Sequence, residues 1–368
     1  MSASGFTPAS RSSADHAGLG GINGDEFIHG DPTHYEQLML ELVNRARANP
    51  VAEADRLGIE LNEGLPAGTI SPVPKPPLAF HPVLIDSARA HSIWMLQTDT
   101  FSHTGIDGSD PGERMSAAGY SFTGSWAWGE NIAWGGSTGP IDPLKFTIDR
   151  HEGLFRSPGH RENICSDWFQ EVGIGIETGI FTDGWDYNAL MVTQNFGMSG
   201  ATPGPLLLGV AFEDLDGDDF YDPGEGIPGI TVTAGSGSWF AITSASGGYA
   251  LPYTTAVGPI SVVFSGGPLT APVQYEMIAS GDHLKLDLDL VGLRQLRFVD
   301  GSLSYSESRG FEVTIAGSPG DAFILQHSMD LQIWSNISSH VLQERTMVVN
   351  HLSEIAEGSH FYRLIWDR

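Results

Sequence analysis

Basic side chains are scarce in this chain: 18 Lys and Arg stand against 45 Asp and Glu, a formal charge of −27. Such a field repels phosphate backbones, and no local Lys/Arg cluster offsets it. Nucleic acid and anionic membrane surfaces are therefore poor partners. Cysteine is nearly absent. The lone Cys165 cannot pair within the chain, which excludes a disulfide framework and a cysteine-based zinc site. It follows Ile164 with no Lys or His beside it, and is expected as a buried, inert thiol. No apolar run approaches the roughly 18 residues of a membrane-spanning helix. Residues 1–30 lack the basic-then-apolar order of a signal peptide, so a secreted form is expected to have lost its leader or to begin upstream. Two catalytic signatures also fail. Gly135-Gly136-Ser137-Thr138-Gly139 spells G-x-S-x-G, but Pro140 follows at once where a nucleophile elbow needs its helix, and His151-Glu152-Gly153-Leu154-Phe155 puts Phe155 where a zinc-protease helix needs its second histidine.

What is present points to several domains. The 368 residues include 46 glycines and 22 prolines, with 40% apolar content, enough for two or three packed cores joined by many turns. Residues 1–32, rich in Gly, Ser and Ala, read as a disordered or loosely attached arm. A helix is expected from Thr33, with Leu38, Leu42, Val43 and Ala46 on one face and Asn49-Pro50 ending or restarting it. The Leu65–Pro77 run is a Pro-rich loop. A second helix opens at Pro82, carrying Leu84, Ala88, His91 and Met95 on one face, and His91 is expected in the core. Asp142-Pro143 signs a third helix, and Ser157-Pro158 restarts a short one. Val172–Glu177 and Ala189–Phe196 read as strands. Helices interleaved with strands over 33–200 give an α-β-α layering. After Gly204-Pro205 the helical period vanishes. Short β-prone runs over 206–290 and again over 291–368, joined near Val291, predict two all-β sandwich modules. The fold class is thus α+β and multidomain.

Three ordered motifs carry the chemistry: Phe101-Ser102-His103-Thr104-Gly105, Gly129-Glu130-Asn131-Ile132 and Ser157-Pro158-Gly159-His160-Arg161-Glu162-Asn163-Ile164. Together with Arg114, Gly119-Tyr120 and Asn195-Phe196-Gly197 they resemble the CAP superfamily (SCP/PR-1-like) in its bacterial form. The resemblance implies that His103, Glu130 and His160 lie on the floor of one open groove. It departs from the family at two places. By our placement a second family glutamate falls near Ser157, and Leu154 stands where bacterial relatives carry tryptophan. Two imidazoles and a carboxylate match the ligand count of a catalytic zinc site with open water positions. The same trio without metal can bind a polar ligand head or form a structural network. Catalytic residues are not assigned.

The second signal is Asp214-Leu215-Asp216-Gly217-Asp218-Asp219-Phe220-Tyr221-Asp222-Pro223-Gly224-Glu225. Asp214, Asp216, Asp218, Asp222 and Glu225 occupy positions 1, 3, 5, 9 and 12 of a calcium loop, with the Phe220 carbonyl at position 7. Asp219 replaces the usual glycine and strands flank the loop, which excludes the helix-loop-helix sensor. The following Gly226-Ile227-Pro228-Gly229 and Gly247-Gly248-Tyr249 resemble B-type β-sandwich repeats of bacterial surface proteins, which implies structural Ca2+. The last module, with Trp334 and Tyr362, resembles terminal β-sandwich modules of secreted bacterial proteins, and those two aromatics are expected in its core.

Three functions are in play for a secreted or cell-surface protein. One is a binding module whose groove takes a small amphipathic or polysaccharide-like ligand. Another is a metal-assisted hydrolase using Zn2+ or a similar ion at His103, Glu130 and His160. The third is a scaffold with a vestigial groove.

Overall fold

The computed structural model describes residues 24–202, 204–235, 239–253, 257–269, 271–290, 297–299, 302–306, 310–317, 321–329, 331–344, 346–351 and 360–366. Residues 1–23 and the junction expected near Val291 lie outside them.

The first part of the chain runs β1 (Asp25–Glu26), α1 (His34–Ala48), α2 (Pro50–Arg56), β2 (Ala79–Phe80), α3 (Pro82–Gln97), α4 (Pro111–Ala117), β3 (Trp126–Ser137), α5 (Pro143–Arg156), α6 (Pro158–Ile164), β4 (Glu171–Asp183) and β5 (Trp185–Ser199). The helix starts follow from local chemistry. Thr33 and Glu36 form a reciprocal capping box, at 3.2 and 2.7 Å, that satisfies two otherwise unbonded N–H groups of α1. The Asp142 carboxylate accepts from Leu144 and Lys145 backbone N–H groups at the start of α5. Pro50, Pro82, Pro111, Pro143 and Pro158 each open a helix, where a missing N–H costs nothing.

The sheet order is β2-β4-β5-β3, antiparallel except for β2 against β4. One face of β4 puts Val172, Ile174 and Ile176 into a core with Met39, Val43, Leu154 and Phe155 of α1 and α5. The opposite face carries Gly173 and Gly175, against which α3 packs backbone to sheet. A Cβ on Gly173 would lie 1.9 Å from the Leu84 carbonyl carbon, so only glycine permits this approach. Helices thus cover both faces, as the layering argument predicts.

Next come β6 (Leu206–Phe212), β7 (Ile230–Ala234), β8 (Trp239–Ile242), β9 (Gly248–Pro252), β10 (Gly258–Gly266), β11 (Val273–Ala279), β12 (Leu284–Lys285) and β13 (Leu288–Asp289). One sheet is β1-β8-β7-β10-β11. The other is β12-β6-β13, with β9 also paired to β6. Leu207, Ile230, Val232, Leu251, Val262 and Phe264 fill the space between them. The remaining strands are β14 (Arg297–Phe298), β15 (Ser304–Ser306), β16 (Gly310–Ala316), β17 (Ala322–Ser328), β18 (Ser335–Val341), β19 (Thr346–His351) and β20 (Phe361–Trp366). They form two further sheets around Phe311, Val313, Ile315, Phe323 and Leu325. The protein is α+β and multidomain.

Residues 24–32 differ from the loosely attached arm expected of them. β1 pairs in parallel with β8, the Phe27 N–H donates to Phe240 O at 2.8 Å, and the Phe27 ring meets Trp239 edge-on. His29 is buried, with Nε2 3.1 Å from Ile242 O. The physical reason is long range: β1 covers an edge strand some two hundred residues away, which composition cannot reveal.

α1 also joins the two halves. Its Leu38 and Leu42 pack with Val210, Phe212 and Tyr221, and its Glu41 Oε2 lies 2.8 Å from Lys285 Nζ, which also pairs with Asp287. Among the described residues, no helix is long and apolar enough to cross a membrane.

Candidate functional site

His103 sits in the loop between α3 and α4, and two side chains pin that loop from below. His91 places Nε2 2.9 Å from Ser102 O, and Arg114 Nη1 donates to both His103 O and Ser109 O at 2.9 Å. The His103 ring itself is about half exposed (52%), and its Nδ1 is 2.8 Å from Glu130 Oε1. Glu130 rises from the middle of β3 and is 1% exposed. Its other oxygen, Oε2, accepts from Arg114 Nη2 at 2.5 Å. Asn195 faces it across the β3–β5 ladder. Turned so that its amide donates, Asn195 Nδ2 is 3.1 Å from Oε2 while its oxygen accepts from Ser87 Oγ and the Ala88 N–H.

His160 opens the first turn of α6 and is held through its backbone. Asn131 Nδ2 donates to His160 O at 3.2 Å, and Asn163 Nδ2 donates to Asn131 Oδ1 at 2.9 Å and to Glu130 O at 3.3 Å. Burial holds the His160 imidazole below its ordinary pKa, and the nearby His103 adds to the effect. Two of the motifs touch directly, His103 against Glu130, and the His160 backbone is tied to the Glu130 strand through Asn131 and Asn163.

The chemistry is narrower than the residue list implies. A carboxylate can only accept, so His103 Nδ1 is the donor toward Glu130. In the neutral ring Nε2 then carries the lone pair, outward. Glu130 is committed to His103 and Arg114 and has little solvent access. Among the described residues, only Asp214, Asp216 and Asp218 bring three ligand atoms within 4.8 Å of one another. His103, Glu130 and His160 do not bring three ligand atoms that close, so two imidazole nitrogens remain as candidate ligands, with Glu130 behind His103 as its orienting partner.

Sequence reasoning missed several of these residues. His91, expected as plain core, is buried and stacked on Trp94 (5.6 Å between ring centroids), and its Nε2 also lies 4.0 Å from Glu130 Oε1. Arg114 entered only as part of a turn pattern, yet it clamps both the loop and the carboxylate. The only signal was its placement just before the Ala118-Gly119-Tyr120 turn. The His151-Glu152 pair has a structural use instead: buried His151 bonds Glu53 Oε1 at 2.9 Å, and Glu53 also binds Arg45 and Arg56. Cys165 is buried, and burial pushes its thiol up to about 11. Ser157 occupies the N-cap position of α6 without a side-chain capping bond, and supplies no carboxylate.

In the acidic loop Asp214, Asp216 and Asp218 converge. Asp214 accepts from the backbone N–H groups of Gly217 and Asp219, at 2.7 and 3.1 Å. Asp219, at the usual glycine position, adopts φ +60°, which aspartate tolerates better than most residues. Glu225 folds back to accept from Leu215 and Asp222 N–H groups, both at 2.7 Å, and so closes the loop. Desolvation and the charges of Asp218, Asp216 and Asp214 raise the Asp222 pKa, so its carboxylate shares their neighbourhood. The Phe220 ring lies under Arg45 of α1, 5.1 Å from the guanidinium carbon.

Residues 40–196 match the sequence model of the CAP family, described as the cysteine-rich secretory protein family. The chain carries a CAP domain. With Cys165 as its only cysteine, this CAP domain relies on its core rather than on disulfides. Two solved structures are similar to parts of the chain. One is an extracellular protein containing a SCP domain from Bacillus anthracis, with 23% identity, 44% of this chain and 39% of that chain covered, and a TM-score of 0.29. The other is an outer surface protein from Borrelia burgdorferi, with 22% identity, 32% and 74% covered, and a TM-score of 0.24. The match to the Bacillus anthracis protein thus spans about two fifths of its length. A search of curated proteins found no match.

Proposed function

We propose that this protein is a secreted or surface-displayed binding module whose CAP groove uses His103 and His160 as its reactive nitrogens, with Glu130 as a positioning carboxylate. The occupant is a divalent transition metal with its waters, or the polar head of a small amphipathic or polysaccharide-like ligand. One observation carries the reading: both Glu130 oxygens accept from protein donors, Oε1 from His103 at 2.8 Å and Oε2 from Arg114 at 2.5 Å. A general base or nucleophile-activating carboxylate needs a lone pair within reach of its water, and Glu130, so engaged and 1% exposed, presents none to solvent. That weighs against the hydrolase. Exposed Phe101, Trp126 and Trp128, neighbours of His103 and Glu130 in the chain, supply apolar surface for an amphipathic ligand.

Zinc titration of the full chain by calorimetry tests the metal form of this reading. His103→Ala and His160→Ala should each abolish the groove's binding, while Glu130→Gln should weaken it by about 10- to 100-fold through lost orientation. Binding unchanged in His103→Ala would sink the proposal.

A second proposal concerns 214–225: these residues hold structural Ca2+ in a module like the B-type repeats. The convergence of Asp214, Asp216 and Asp218, with Asp222 in the same field, supports it. Folding such like charges together needs a counter-cation. The loop rests on α1 through Tyr221 and Phe220, so a bound ion would also stiffen the seat of the CAP domain. Calcium titration of the full chain and of Asp216→Asn checks it. A wild-type chain that neither binds calcium nor gains stability from it would end this reading.

A further inference from the structure

A second cavity lies on the far side of the CAP sheet from α1, at the seam where β1, the start of α3 and the 199–206 linker meet. It encloses about 240 Å³ and is lined by Phe27, Phe80, His81, Tyr120, Glu171 and Thr202, among others. Glu171 is the notable group. It is 3% exposed, and among the described residues its carboxylate accepts only from neutral hydroxyls, Tyr120 at 2.6 Å and Thr202 at 2.9 Å. Among the described residues, no Lys or Arg lines the cavity and no cation pairs with Glu171.

Buried carboxylates are ordinarily matched by a cation, because two hydroxyl bonds do not replace the hydration of a full charge. Glu53 and Glu36 in this same domain follow that rule, with Arg45, Arg56 and His151 around the first and Arg89 against the second. Glu171 departs from it while facing an open volume. The walls add to the case. Phe27, Phe80 and Tyr120 are aromatic, and His81 meets Tyr120 edge to face with ring centroids 5.0 Å apart. The His81 Nδ1 is buried with no hydrogen-bond partner. Aromatic faces and a carboxylate together select positive charge on a small apolar body. Inorganic cations fit less well, since among the described residues no three His, Cys, Asp or Glu ligands converge here.

We propose that this seam cavity binds a small organic ammonium ion, a primary amine on a short apolar tail, with Glu171 as its counter-charge. The ammonium group sits against the Glu171 carboxylate and the tail lies among Phe27, Phe80 and Tyr120. Because Phe27 belongs to the segment that follows β1, an occupant touches the N-terminal strap and the CAP sheet at once, and tightens the seam.

The test is binding of n-butylammonium to the full chain, by calorimetry and by the melting temperature, against n-butanol-sized neutral alcohol as control. The amine should bind and raise the melting temperature while the alcohol does neither. Glu171→Gln keeps an acceptor for Tyr120 but loses the charge, and should weaken binding by about tenfold or more. Should that variant fold poorly, Ile28→Lys serves instead. Ile28 lines the cavity mouth and is 63% exposed, so a lysine there is tolerated by the fold and places a tethered ammonium at the entrance, which should block the amine. Equal binding of alcohol and amine, or full affinity in both variants, overturns the proposal.

Discussion

Replacing Glu130 by alanine isolates the role assigned to it. The substitution removes a charge-assisted bond from His103 and another from Arg114, in a place that is 1% exposed. Breaking a buried ion pair from one side costs about 3–5 kcal/mol when the surviving charge is orphaned. Here Arg114 keeps two carbonyl acceptors, Ser109 O and His103 O, so the lower end applies, about 3 kcal/mol. For a domain of this size that corresponds to a fall of about 6–12 °C in the melting temperature of the CAP transition. Glu130→Gln preserves volume and one acceptor. With its oxygen toward Arg114, its amide faces His103 Nδ1 and forces the proton to Nε2, the atom proposed to bind. Thermal unfolding of both variants, followed by zinc titration of the glutamine form, gives the two readings. An alanine variant as stable as wild type, or a glutamine variant of undiminished zinc affinity, refutes the claim that this carboxylate holds the loop and sets the tautomer.

Gly173→Ala should destabilise the CAP domain by more than about 4 kcal/mol, since its Cβ would overlap the Leu84 backbone; denaturant unfolding reads this, and a near-neutral result contradicts the packing of α3. Burial pulls the His283 imidazole down to about 4 from 6.5. Its folded form resists a proton that the unfolded chain accepts, so stability is intact above pH 6.5 and is lost as pH falls toward 4, by about 3 kcal/mol from this group. His283 bonds the Pro77 backbone, so urea unfolding across that range should show the seam between the CAP domain and β module weakening first, and His283→Leu should flatten the profile. Calcium at a hundredfold excess over its dissociation constant should stabilise the 206–290 module by about 2.7 kcal/mol, with chelator reversing the shift; a melting curve indifferent to both speaks against the loop as a cation site.

Local chemistry was legible and long-range chemistry was not. Thr33, Asp142 and the helix-opening prolines announce their helices because caps and N1 prolines act within one turn. Val172–Glu177 is readable because its apolar residues alternate with glycine, and the strand simply extends further, to Asp183. β3 was less visible: Trp126–Ser137 mixes glycine, asparagine and tryptophan and owes its strand state to the β5 ladder. The site followed the same division. Its three motifs could be named, but that Arg114 would clamp Glu130, or that His91 would brace the His103 loop, depends on how α3 and α4 cross. The tie between Glu41 and Lys285 joins residues whose separation leaves no trace in any window.

The most direct measurement is the ring nitrogen spectrum of His103 and His160 during zinc addition to the full chain. Before zinc is added, the His103 nitrogen facing Glu130, Nδ1, should carry a proton, and its Nε2 signal and a His160 nitrogen should move together as zinc binds. Zinc that binds without moving either ring, or a His103 protonated at Nε2 beforehand, contradicts it.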